Sequence, residues 1–194
     1  MRTSAPHRFF ITALTTACSL AFLGSASIQA QDAKTQTIDA GGLTFEVPGS
    51  WKSSRPTSQM RKAQLKVDPV KGDEDPAELI VFAFPGGAGN VDANVERWRK
   101  TFKDKDGNPP RAEVKTVKGK NTDATRVEMA GHYYPTAFPG QAQQPDKEGY
   151  HLLAAIVITN DTGYFLRLVG PEKTVQSAKA DFEKLIASLK VDSK

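Results

Sequence analysis

Cysteine is all but missing from these 194 residues, and the single one, Cys18, lies inside an N-terminal apolar run. The chain therefore forms no internal disulfide, and beyond residue 18 it has neither a thiol nucleophile nor a thiolate metal ligand. Histidine is scarce as well: only His132 and His151 follow the N-terminal region, too few nitrogen ligands for a zinc site that wants three or four protein ligands. An excess of one charge sign is also lacking. Lys and Arg number 26 against 22 Asp and Glu, a formal net charge of +4, and Arg2 and Arg8 at the start supply half of it. So even a balance argues against a nucleic-acid partner, which needs a net basic face for phosphate. There is no internal repeat, no G-x-S-x-G nucleophile elbow, and no apolar run past residue 24 that approaches the roughly 20 residues of a membrane span. Folding has to rest on core burial alone.

The first thirty residues follow a different plan. MRTSAPHRFF is basic and free of acid, an apolar run extends from Phe9 to Gly24, and the small-residue stretch SASIQA follows. That order is the layout of a secretory signal. Cleavage is expected after Ala30, with Ala26 as the alternative because Ile28 is bulky for its position before the cut. Cys18 is preceded by Thr15, Thr16 and Ala17 rather than by the Leu-small-small pattern of a lipoprotein, so lipidation is not expected. The sequence thus divides into a signal peptide, 1–30, and one domain, 31–194, secreted or periplasmic in the cell envelope.

Within the domain, Thr35–Ala40 and Leu43–Val47 read as a hairpin around Gly41-Gly42. Arg61–Val67 alternates, and the run LIVFAF within Glu78–Phe84 suggests a strand covered on both faces. After FPGGAGN, Asn90 is a natural cap for a helix whose stripe is Val91, Val95, Trp98 and Phe102. Strands are expected over Ala112–Lys118 and Ala124–Tyr134. HLLAAIVIT and YFLRLVG then flank an NDTG turn, read as needing positive backbone φ. Pro171 opens a last helix with the stripe Val175, Ala178, Phe182, Leu185, Ile186 and Leu189. Helical stripes on a largely antiparallel sheet make the fold class α+β, with the Trp98 stripe expected on one face of the sheet and the Phe182–Leu189 stripe on the other.

The opening FEVPGSW resembles the F-x-x-P-x-x-W entry of the PsbP-like and Mog-like fold. The ending, HLLAAIVITNDTGYFLRLVG followed by EKTVQSAKADFEKLIASLK, resembles that family's final hairpin and terminal helix. The middle, FPGGAGNVDANVERWRKTF, is similar to a group of uncharacterised secreted bacterial proteins. The resemblance implies an antiparallel β-sheet flanked by helices, an α/β/α sandwich. Members of the family include photosystem extrinsic subunits, a nuclear import factor that binds Ran, bacterial envelope proteins and secretion chaperones. They bind other proteins and share no catalytic residues, which implies a non-enzyme with a protein partner and no cofactor.

The candidate residues follow. Trp51 reads as a flap over one end of the sheet, with ligand stacking as its sharper alternative. FPGGAGN invites a phosphate reading but lacks the Gly-Lys-Ser/Thr ending of a P-loop, so a strand-to-helix turn is expected. His132 and His151 bracket the loop Thr136–Gly149, with Asp146 and Glu148 near, but hydrogen-bonded strand-end histidines are expected rather than a metal site. Arg167 interrupts an apolar strand and needs a partner, for which Glu128 is conceivable. Tyr133, Tyr134 and Phe138 on and beside the long loop are the expected partner-binding residues. The function so read is a non-catalytic binding or assembly module. The alternatives are a small-ligand carrier with a pocket near Trp51 and the 136–149 loop, and a hydrolase with an unrecognised site.

Overall fold

The two glycines at 41 and 42 decide how the domain begins. Both have positive φ, 76° and 97°, which only glycine adopts without strain, and Ala40 N donates to Leu43 O at 2.8 Å to close a two-residue turn. The turn joins β1 (Thr35–Asp39) to β2 (Leu43–Pro48). The computed structural model describes residue 1 and residues 34–56, 58–87, 89–136 and 144–192. Residues 2–33, with Cys18, Ala26 and Ala30, lie outside the described residues, and so does Phe138.

The elements that follow are β3 (Lys52–Ser53), β4 (Arg61–Val67), β5 (Ala77–Pro85), α1 (Val91–Arg99), β6 (Phe102–Lys103), β7 (Glu113–Lys118), β8 (Asp123–Tyr133), β9 (Lys147–Ile158), β10 (Thr162–Pro171), α2 (Glu172–Ser177), α3 (Lys179–Ser188) and β11 (Lys190–Val191). The main sheet has the order β3-β4-β5-β10-β9-β8-β6, with β7 also on β8, and every pairing is antiparallel. A second sheet, β1-β2-β11, carries the first hairpin and the end of the chain. The described residues thus form mostly antiparallel sheet with three short helices.

Side chains alternate across a strand, and the central strands are apolar both ways. Leu79 and Val81 of β5, Leu166 and Leu168 of β10, and Leu153 and Ala155 of β9 join a core with Phe45, Trp51, Phe182, Leu185 and Leu189. Phe82, Phe165, Leu152 and Ile156 point the other way, into a core with Val95, Trp98 and Phe102. The two helical stripes therefore cover opposite faces, as their spacing predicts. Trp51 is 3% exposed in the first core, consistent with a structural flap.

Several local expectations are corrected. Asn90 does cap α1, accepting from Ala93 N at 2.8 Å, but the helix stops at Arg99 and Phe102 sits in strand β6, fully buried. The β9–β10 turn uses no positive φ, since no described non-glycine residue has one. Instead the Thr159 hydroxyl accepts from Thr162 N at 2.9 Å and Asp161 N at 3.3 Å, closing the turn with a side chain. The last helix breaks at Ala178 into α2 and α3, and Pro171 ends β10. β9 already starts at Lys147, so the connection after Tyr133 is shorter than Thr136–Gly149 suggested, and residues 147–149 belong to the sheet.

The five long strands from β4 to β8 span about 19 Å at roughly 4.8 Å per strand. One helix about 10 Å across covers about half of that. α1 packs on the β8 and β6 side, and the other half of that face becomes a cleft.

Candidate binding cleft

Beside α1, the sheet face opens into a cleft of about 800 Å³ floored by Ile80, Phe82, Val169, Tyr133 and Tyr150, with Arg167 among them. The floor follows from pairing: Arg167 of β10 lies between Ile80 of β5 and Ala154 of β9. Its guanidinium carbon is 5.6 Å from the Trp98 ring centre, a cation held on the edge of the core by an aromatic face. Burial pushes the Arg167 guanidinium below its usual pKa, the neighbouring Tyr133 phenol opposes this, and the charge of Arg61 adds to it. Arg167 Nε is buried without a hydrogen-bond partner among the described residues.

Arg61, from β4, reaches over Phe82 at 6.0 Å and donates to Gln64 Oε1 at 3.1 Å. Gln64 passes the interaction on, donating to Glu78 at 2.6 Å. Glu78 is the one acid lining the cleft among the described residues, and it stands opposite Lys66 in the β4–β5 register. Lys147 is matched by Asp75 at 2.7 Å, and Tyr150 donates its hydroxyl to the same carboxylate at 2.8 Å. Burial, reinforced by Asp75, pushes the Tyr150 phenol well above its usual range, so Tyr150 is a neutral donor. Among the described residues neither Arg61 nor Arg167 has a carboxylate within ion-pair distance. The cleft therefore carries two unmatched guanidiniums over an apolar floor.

Gly131 positions its near wall. A Cβ there would stand 2.4 Å from Lys103 O, so only glycine lets β6 lie against β8, and the register shifts between Gly131 and Tyr133. Tyr133 then packs on Phe102, with ring centres 4.8 Å apart, and stacks on Tyr150 at 5.9 Å and 11°. Tyr134, the next residue, points the other way, stacking on His132 at 4.7 Å with Lys103 Nζ 4.9 Å from its ring. Of the expected partner-binding residues, then, Tyr133 lines the cleft, Tyr134 is exposed outside its lining, and Phe138 lies outside the described residues.

The histidines do not meet. His132 pairs with Asp146 at 2.6 Å, whereas His151 is 5% exposed and meets Glu128 at 3.0 Å. No cluster of three or more metal-ligating side chains occurs among the described residues. Glu128 does not partner Arg167, because the two point to opposite faces of the sheet. Glu128 lies in the row of Leu153 and Leu168, Arg167 in that of Ala154 and Val127. Glu128 instead takes Arg126 and Lys179, the latter at 2.9 Å to both oxygens. Arg126 is also held by Glu183 and Glu113. Burial would raise the Glu128 carboxyl, but Lys179 and Arg126 overcome it and hold it at about 2. With its oxygens so occupied, this network reads as a strut between the sheet and the C-terminal helices.

Sequence reasoning missed Arg61, Lys66 and Lys147 as site residues. The usable signal was Arg167 itself, a charge inside YFLRLV that announces an unusual environment without saying which face it serves.

No family model matches the chain, and no curated protein does. Among solved structures it is similar to the cyanobacterial PsbP of Synechocystis sp. PCC 6803, at 18% identity over 88% of this chain and 99% of that one, with a TM-score of 0.49. A Bacteroides thetaiotaomicron VPI-5482 protein is similar at 16% identity over 84% of this chain and 49% of that one, with a TM-score of 0.47. A Pseudomonas aeruginosa protein of unknown function is similar at 8% identity over 82% of this chain and 99% of that one, with a TM-score of 0.46.

Proposed function

We propose that this chain is a non-catalytic binding module, exported to the cell envelope or beyond, and that the cleft beside α1 is its working site. The observation that carries the reading is the pair of arginines, Arg61 and Arg167, with no acid on either, above an apolar floor. Unmatched cations in a partly desolvated setting cost stability, which a bound counter-charge returns. The described lining holds no histidine, serine or cysteine, and its Lys147, Tyr150, Glu78 and Thr101 are engaged with Asp75, Gln64 and the Trp98 carbonyl, which supports a receptor over a nucleophile–base pair. A volume of about 800 Å³ falls within the roughly 300–1,000 Å³ of small-molecule sites. The small-ligand reading thus moves away from Trp51, which is core, to the opposite face, and keeps its place beside the 136–149 loop through Thr136, Gln144 and Lys147. The α/β/α sandwich of the PsbP- and Mog-like proteins is the architecture we propose for it, supported by apolar cover on both faces of the sheet. Export rests on the order of residues 1–30, and among the described residues no helix is long and apolar enough to cross a membrane.

A second reading, a protein partner, is favoured by Tyr134, 37% exposed beside the rim residues Pro135 and Thr136. Native mass spectrometry of the exported chain, purified from its own source, separates the two. Wild type is expected to carry a small bound mass that Val169→Trp, which fills the cleft floor, does not carry while keeping its circular dichroism. A bound mass retained by Val169→Trp, or absent from wild type, would defeat the cleft reading. A protein retained by both forms would favour the second.

A further inference from the structure

We infer that the cleft takes an amphipathic organic anion: a flat apolar body on Tyr133, Tyr150 and Phe82, with a terminal carboxylate on the guanidiniums of Arg167 and Arg61. The inference rests on the cleft reading above and names the ligand class. The charge count sets the sign. Lys147 is satisfied by Asp75, whereas Lys66 faces Glu78 in the register without an ion pair and Arg61 and Arg167 have no acid within ion-pair reach among the described residues, so the cleft holds a surplus of positive charge. They also feel each other, since Arg61 makes the charged form of Arg167 less favourable. A single monoanion between them relieves that repulsion and supplies the missing partner.

Geometry sets the head group. The Arg167 guanidinium rests on the face of Trp98, which restrains its plane before anything binds. A fixed planar fork matches a carboxylate with two parallel N–H···O bonds. The floor sets the body. Ile80, Phe82 and Val169 form an apolar surface beside the Tyr133–Tyr150 stack, so a flat ring buries area there without needing further polar partners. A small inorganic anion would leave that floor uncovered, and a neutral ring would leave the arginines unmatched.

Titration calorimetry of the full exported chain with 2-naphthoate, neutral 2-naphthamide and acetate tests this. Naphthoate is expected to bind at least roughly tenfold tighter than either, the scale of a charge-assisted hydrogen bond. Arg61→Gln, at the rim, is expected to narrow the naphthoate–naphthamide gap to less than about threefold. Arg167→Lys, which keeps the charge but loses the fork, is expected to weaken naphthoate similarly. Naphthamide binding as tightly as naphthoate would overturn the anion assignment, and acetate binding as tightly would overturn the apolar body. If no probe binds while the source-purified protein still carries a mass that Val169→Trp loses, the class is wrong and the cleft stands. If both fail, the cleft reading falls as well.

Discussion

Replacing Glu128 with glutamine is expected to cost about 3–5 kcal/mol of stability, the cost of removing one partner from a buried ion pair. Glutamine keeps the shape and deletes the charge, so the loss isolates electrostatics. Arg126 is 5% exposed and cannot turn to water for compensation, although Glu183 still holds its Nε, which places the value toward the lower end. Lys179, with 38% of its side chain exposed, recovers its hydration more easily. Urea denaturation read by fluorescence measures the change, and a variant within about 1 kcal/mol of wild type would mean that the network does not brace the fold.

The same residue sets an acid limit. Its carboxyl ionises at about 2 in the folded protein against 4.5 ordinarily. A depressed pKa contributes stability that is complete above the unfolded value and lost as pH falls toward the folded one. Wild type is therefore expected to lose stability between about pH 4.5 and 2, and Glu128→Gln to show a flatter profile there. Burial lowers the His151 pKa against the pull of Glu128, so neutral His151 acts in the same direction, its share fading as pH drops below the ordinary histidine value.

Trp98→Ala is expected to cost a similar amount, about 3–5 kcal/mol, through a different mechanism, the void left by a large core side chain. Trp98 is 5% exposed and meets Phe165 edge-on at 6.3 Å. It also carries the Arg167 guanidinium, so the variant should lose probe affinity even where it remains folded. Equilibrium unfolding in urea gives the first quantity and calorimetry with 2-naphthoate the second. A neutral effect on stability would show that α1 does not hold its face of the sheet.

How much of this was legible depends on how local each cause is. The Gly41-Gly42 turn, the Asn90 cap and the two helical stripes are decided within a few neighbouring residues, and they read directly. The end of α1 did not, because Phe102 continues the apolar spacing while its backbone leaves the helix to pair with Tyr133. β11 is two residues long and exists only because Val191 meets Leu43 from the far end of the chain. Arg167 and Glu128 both read as charges needing partners, but which faces they serve depends on the register of β8, β9 and β10. The cleft is assembled from β4, β5, β8, β9 and β10, and no window of sequence contains it.

The position of β10 between β5 and β9 has a consequence for how the molecule is made. β5 ends at Pro85, and the strand that covers its inner edge begins at Thr162. A chain emerging from its N-terminus therefore holds one side of an apolar strand open until the final hairpin arrives, and β2 waits longer still for Val191. Such exposed edges invite pairing with other chains. A polypeptide released or cut before Thr162 is left not with a smaller domain but with an adhesive one, so roughly the last sixth of the sequence is what makes the first half safe to leave unaccompanied.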